Sequence, residues 1–322
     1  MMSNKSQTPS LNFTFRQGLP NTLDGRRTVI ALGTFDGVHI AHQRLIKEAL
    51  RLKERINADL VGVWCFEESP AAIIQKSPTS QLTTKAERIA LLFENGVDFV
   101  VMGKFEELRD LEAKNFIDDI LISGLGCVAT VCGYNHRFGQ SGLGDSRLLS
   151  ETFGQKNTIT LPEIKLHEKT VSSSAIREHL ICGEIETANN MLGRPISFCA
   201  PVSEGKKLGR KIGFPTANQI FPKDFFPLKK GVYATKCLFD DGNCYIGVSN
   251  VGVRPSIEKN DNHHLNCETY IIGFSGEIYG RDMRVEFHSY LREEMKFSTL
   301  DELSLAIKAD CEKTIKIFAT EK

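Results

Sequence analysis

Short apolar runs alternate with helical periodicity through the first 188 residues, and this alternation limits the possible folds more than any other feature. Runs at 28–32, 59–66, 97–102, 128–132 and 158–161 have strand length and are nearly continuous, as strands covered on both faces are. Apolar residues at helical spacing fill 41–56, 84–95, 112–122 and 173–192. Such a chain builds a doubly wound parallel sheet with helices on both faces, and its ligands sit at the carboxyl ends of the strands. From about residue 193 the pattern changes. Short alternating segments such as Gly231–Cys237 and Cys244–Val248 flank Asp240-Asp241-Gly242-Asn243, which predicts a hairpin tip. Closely spaced strands with such turns predict a small antiparallel β-barrel. The stretch from Thr299 to about Phe318 is helical in pattern, with Leu300, Leu303, Leu305, Ile307 and Ile315 at apolar positions, and is expected to pack on that barrel. The expectation is two domains, 1–188 and 189–322, in an α/β plus β chain.

Composition narrows the function classes. A formal net charge of zero gives no global field for nucleic acid or an anionic membrane, so neither is an expected partner. No apolar run reaches the roughly 18 residues that a membrane helix needs, and Met1–Gln7 lacks a signal-peptide core. The nine cysteines form no Cys-x-x-Cys pair and lie mostly in apolar runs, which reads as buried, reduced thiols of a cytoplasmic protein. No obligate protein partner is evident.

The run Thr28–Leu32 is followed by Gly33-Thr34-Phe35-Asp36-Gly37-Val38-His39-Ile40-Ala41-His42 and then a helical pattern. Two histidines three apart at a helix start lie on one side of its first turn. Exposed N–H groups there favour an anion, so a phosphate chain would meet imidazole and backbone donors together. Zinc is a weak rival, because two histidines supply too few ligands. Asn135 follows the run 128–132, where it is either a turn residue or a hydrogen-bond donor to a ligand. Ser172, Ser173 and Arg177 place hydroxyls and a guanidinium at a helix start; helix capping is the plainer reading of at least one serine. In the second half, Gly205-Lys206 and Gly209-Arg210 precede Gly213-Phe214-Pro215-Thr216-Ala217-Asn218. A basic glycine-rich loop suits a phosphate tail, and Thr216 and Asn218 carry hard oxygens of the kind Mg²⁺ accepts. Taken alone, the segment also reads as a basic surface hairpin.

The turn at 33–42 resembles the His-x-Gly-His signature of nucleotidyltransferases, and specifically the amino-terminal half of the bacterial bifunctional riboflavin kinase/FAD synthetases, with Ala41 where that family has Gly. Cys132–Gly139 resembles its Gly-x-Asp/Asn-Phe-x-Phe-Gly segment, with His136 for Phe. Ser172–Arg177 resembles Ser-Ser-Thr-x-Ile-Arg. Cys65–Pro70 resembles Thr-Phe-x-Pro-His-Pro, with Glu68 and Ser69 substituted. Gly-Phe-Pro-Thr-Ala-Asn at 213–218 matches the riboflavin kinase hallmark, and Glu268-Thr269-Tyr270 and Leu291–Phe297 match as well. The resemblance implies riboflavin phosphorylation by ATP to FMN, then adenylylation of FMN to FAD with release of pyrophosphate. It implies catalytic roles for His39, His42, Arg177 and Glu268. It implies ATP contacts at Gly33, Phe35, Asp36, Gly37, Ser172, Ser173, Gly205, Lys206, Gly209, Arg210, Gly213, Phe214 and Pro215. Flavin contacts are expected at Phe66, Asn135, Arg292 and Phe297, and Mg²⁺ at Thr216 and Asn218. Two alternatives stand beside it: a riboflavin kinase with a weakened adenylyltransferase half, motivated by Ala41, Glu68-Ser69 and His136, and a non-catalytic flavin or nucleotide sensor.

Overall fold

A computed structural model describes residues 11–12, 23, 25–74, 80–205, 209, 212–253 and 265–320. The expectations placed on Lys206 and Arg210 fall outside them. The chain divides into two compact units, Met1–Ser173 and Ser174–Lys322.

The first unit carries β1 (Leu11–Asn12), β2 (Thr28–Leu32), β3 (Leu60–Phe66), β4 (Phe99–Gly103), β5 (Cys127–Gly133) and β6 (Thr158–Leu161). They form one parallel sheet in the order β1-β4-β3-β2-β5-β6. Every residue of β2 is buried, which explains its unbroken apolar run. Val29 and Ala31 join one core with Leu45, Ile46, Ala49 and Leu52 of the helix Ile40–Ile56. Ile30 and Leu32 join another with Ile117, Ile120, Leu121 and Leu149. Alternate residues of one strand thus feed two cores, the mark of a doubly wound sheet. The helical pattern at 112–122 is present, wound as a π-helix over Phe116–Gly124. The order reverses between β2 and β5, so the carboxyl end of β2 is the topological switch point where such sheets bind ligands. A short hairpin, β7 (Lys165–Leu166) and β8 (Lys169–Thr170), follows the sheet.

The second unit carries β9 (Ile196–Pro201), β10 (Thr216–Ile220), β11 (Gly231–Phe239), β12 (Cys244–Val253), β13 (Leu265–Ile271) and β14 (Asp282–Arg292). Its antiparallel sheet runs β10-β13-β12-β11-β14-β9. Beyond β9, Ser203 bridges Asn218 of β10, its N–H donating to the Asn218 carbonyl at 2.7 Å. That bridge joins the two edge strands, and the sheet curls into the expected barrel. The expected hairpin tip connects β11 to β12, with Gly242 at φ 83 and the Asn243 N–H donating to Asp241.

Two expectations shift. The helical pattern at 173–192 is two helices, Ser173–Cys182 and Ile185–Leu192, broken at Gly183 with φ 80. Asn189 of the second helix hydrogen-bonds Phe287 and Ile196, which ties this helix to the barrel. The second helix thus lies in the same compact unit as the barrel. The helix Leu300–Thr320 does pack on β11 and β12, but not through all its apolar positions. Leu300, Leu305 and Ile315 are exposed, while Asp310 and Thr314 are buried. The reason is long-range: Arg292 of β14 forms a forked ion pair with Asp310, with Nε and Nη2 to its carboxylate at 2.7–3.2 Å. Asp310→Ala strands a half-buried guanidinium, so the second unit should lose about 3 kcal/mol, read as a lowered unfolding midpoint.

All nine cysteines are free thiols, and Cys65, Cys127, Cys132, Cys237 and Cys267 are buried, as the sequence predicts. Among the described residues, no helix is long and apolar enough to cross a membrane.

Candidate functional site

The turn after β2 is buried and strained. Phe35 and Val38 are fully buried at φ 51 and φ 40, a left-handed conformation that a β-branched or bulky residue adopts only at a cost of about 1–3 kcal/mol. Gly33 lies beneath the Phe35 ring, which an added Cβ would meet at 3.0 Å. Gly37 takes φ 79, and its N–H donates to Thr83 Oγ1. Asp36 turns its carboxylate onto the Leu82 N–H at 2.9 Å, and its carbonyl accepts from Ser173 Oγ at 2.9 Å. Of the residues expected at ATP, Phe35 therefore packs in the core and Asp36 braces the turn. Ser172 is half-buried beside Ser173.

His39 caps the helix Ile40–Ile56, with Nδ1 accepting from the His42 N–H. With Nδ1 an acceptor, the neutral ring carries its proton on Nε2. The two imidazoles stack at 3.6 Å and 14°, and Phe35 lies 4.8 Å from His42. Burial, then the electrostatic influence of neighbouring His39 and Arg88, holds His42 well below the ordinary histidine pKa. His42 is thus a neutral hydrogen-bonding group at pH 7, and its buried Nδ1 has no hydrogen-bond partner among the described residues. Ala41 sits half-buried in the first helical turn, a position where Ala is favoured over Gly.

The neighbouring strand ends complete this side. After β3, Phe66 is half-buried with its ring edge-on to Phe105 at 5.5 Å. Glu67 pairs with Lys85 at 2.6 Å, and Glu68 points to solvent. After β5, Asn135 is exposed. His136 stacks on Phe138 at 5.8 Å, and burial pulls its imidazole down to about 4. Sequence reasoning missed Arg88, which is 2% exposed at the carboxyl ends of β2 and β3. The available signal was its place four residues before Leu92, on the buried face of the helix Lys85–Glu94. Arg177 belongs to the second unit, with its guanidinium 5.6 Å over the Phe226 ring.

The second cluster is set by strand register. Asn218 of β10 pairs with Glu268 of β13, which pairs with Asn250 of β12. Directly paired residues share a face, so the three lie in a row, with Thr216 and Tyr270 two positions along. Their sequence neighbours Ser249 and Thr269 point the other way and are fully buried. Asn266 donates to Glu268 Oε1 at 3.1 Å, and Asn250 donates to Glu294 at 3.1 Å. Phe214 stands edge-on to Tyr270 at 5.0 Å. The loop before it closes on itself: the Phe214 N–H donates to Gly209 at 2.8 Å, and Gly213 takes φ 82. Pro215 is exposed beside Thr216. Gly205 lies so close to Asn218 that an added Cβ would meet its Nδ2 at 2.3 Å. Gly205→Ala must displace Asn218. Arg292 and Phe297 are half-buried, 5.9 Å from guanidinium to ring. With Arg292 committed to Asp310 and to the Glu293 carbonyl, it orients the segment leading to Phe297.

Two family models match this chain: "FAD synthetase" over residues 22–175 and "Riboflavin kinase" over 192–318. Curated relatives include the bifunctional riboflavin kinase/FMN adenylyltransferases of Bacillus subtilis and Pseudomonas fluorescens. The first is 32% identical over 91% of this chain and 93% of its own length. The second is 35% identical over 91% of this chain and 94% of its own. The Escherichia coli K12 protein of the same description is 33% identical over 88% of this chain and 90% of its own. A solved Streptococcus pneumoniae structure described as a macrolide-efflux protein superposes with a TM-score of 0.85 at 25% identity, covering 95% of this chain and 98% of that one.

Proposed function

The chain belongs to the family of bifunctional riboflavin kinase/FMN adenylyltransferases, and we propose that its two reactions run on the two clusters described above. The enzyme phosphorylates riboflavin to FMN with ATP and adenylylates FMN to FAD. On the barrel, Glu268 accepts the proton of the terminal ribityl hydroxyl as that oxygen bonds to the γ-phosphorus and ADP leaves. An alcohol nucleophile gains from such a base. Thr216 and Asn218 offer two hard oxygens on one strand face, which fits Mg²⁺. Bound there with nucleotide, the ion would neutralise phosphate charge. Gly205, Gly209, Gly213, Phe214 and Pro215 form the ATP side of this face, and Arg292 and Phe297 its flavin side.

At the turn after β2, an FMN phosphate oxygen bonds to the α-phosphorus of ATP and the bond to pyrophosphate breaks. That nucleophile is already ionised, so no side-chain base is needed. The site must align two anions and steady charge developing on the phosphate oxygens. His39 does this through its Nε2–H, with His42 as a neutral partner. Gly33, Gly37, Ser172 and Ser173 surround the phosphates, while Phe66 and Asn135 flank the flavin. We keep 1–188 and 189–322 as the functional domains. The free thiols are consistent with a cytoplasmic enzyme.

The observation that carries this reading furthest is the register that sets Thr216, Asn218 and Glu268 on one face. The test is chromatography of products from riboflavin and MgATP. FMN followed by FAD is expected. FMN alone would favour the reading with a weakened adenylyltransferase, and absence of both would refute the assignment.

A further inference from the structure

Resting on the adenylyl site assigned above, we propose that Arg88 is a positioning residue for FMN adenylylation: a buried cation that locks the phosphate-binding turn to the end of β3. One segment braces that turn at three places. The Leu82 N–H meets Asp36, Thr83 Oγ1 meets the Gly37 N–H, and Arg88 Nη1 donates to the Thr34 carbonyl. Of these three, the Asp36 contact uses an anion and the Arg88 contact a cation, and only Arg88 reaches further. Its Nη1 also donates to the Phe66 carbonyl at 3.1 Å, and its Nη2 to the Glu67 carbonyl at 2.7 Å. One guanidinium therefore ties together the segments leaving β2 and β3. A capping box of Thr84 and Glu87 fixes the helix start, and Glu87 is the residue just before Arg88.

The charge itself is the second argument. Arg88 is 2% exposed, and a buried cation is costly unless an anion or several acceptors offset it. Among the described residues its hydrogen bonds run to neutral carbonyls, and its Nε has no hydrogen-bond partner. The nearby Glu67 carboxylate is paired with Lys85 instead. Arg88 thus brings a positive charge to the carboxyl ends of β2 and β3, with the buried Asp36 carboxylate turned onto the Leu82 N–H in the neighbouring turn. The field of Arg88 also bears on His42, which it helps to hold neutral together with His39; Phe35, the other ring on His42, is uncharged.

The test compares Arg88→Lys and Arg88→Met with the parent in the full chain, measuring kcat and KM for ATP in FAD formation from supplied FMN. Riboflavin phosphorylation by the same preparations reports the second unit, and the thermal unfolding midpoint of the first unit reports its own folding. A histidine ¹³C titration reports His42, and His39→Ala is run in parallel. Arg88→Met should raise KM for ATP at least tenfold, lower kcat about a hundredfold, and move His42 titration upward. Arg88→Lys keeps the charge but loses the fork. It should restore KM and the titration while kcat stays about tenfold low. Kinase rates should stay within twofold throughout. Parent-like kcat, KM and His42 titration in Arg88→Met would overturn the inference, as would equal loss of both reactions in both variants. If His39→Ala keeps full adenylylation, the site assignment itself fails. If His39→Ala is impaired and Arg88→Met is not, only the role of Arg88 fails.

Discussion

Glu268→Gln should cut riboflavin phosphorylation by about 10²–10⁴-fold in kcat, the range for loss of a positioned general base. Gln is nearly isosteric and keeps an oxygen to accept from Asn266, which donates to Glu268 Oε1 at 3.1 Å. The row with Asn218 and Asn250 is set by backbone register, so it survives the change. What the amide cannot do is take the ribityl proton. KM for riboflavin and ATP should therefore move little while kcat collapses, the pattern of an interaction made in the transition state. FAD formation from supplied FMN should be unchanged. Initial-rate kinetics of the two half-reactions check all of this.

His39→Ala should have the converse effect, lowering FMN adenylylation by about 10²–10³-fold, the usual loss for one preorganised donor to a developing oxyanion. The substitution removes the Nε2–H donor, the acceptor for the His42 N–H, and the ring stacked 3.6 Å from His42. Losing the cap should also cost the helix Ile40–Ile56 about 1 kcal/mol. His42 loses one of the neighbours that depress it, so its titration should rise. Phosphorylation of riboflavin should continue at the parent rate. A loss of both reactions would mean that the substitution disrupts folding rather than chemistry.

The parallel sheet was legible because its strands are buried on both faces. The unbroken apolar run of β2 reports that directly. The turn was legible because glycines and histidines cluster where a strand gives way to a helix. Features set by contacts distant in sequence were not legible. The helix Ile185–Leu192 has the same amphipathic pattern whichever unit it joins, and only Asn189 meeting Phe287 and Ile196 decides the matter. The inward face of the last helix depends on Arg292 reaching Asp310. Arg88 reads as a surface charge until its three carbonyl partners are brought to it by β2 and β3. Pairing of Asn218 with Glu268 spans 50 residues; the resemblance named the two residues, and only the strand register puts them side by side. Asp36 shows the opposite limit: its residue type suited a ligand contact, but its carboxylate is used on the protein's own backbone.

The most direct measurement is complementation between the two single-site variants. Glu268→Gln and His39→Ala are each given riboflavin and MgATP, separately and mixed, and the flavins are separated by chromatography. Separately, the first should yield almost no flavin nucleotide and the second only FMN; mixed, they should make FAD, because FMN released by one chain is adenylylated by the other. FAD from riboflavin by Glu268→Gln alone at the parent rate would contradict the assignment of the two reactions to these two clusters.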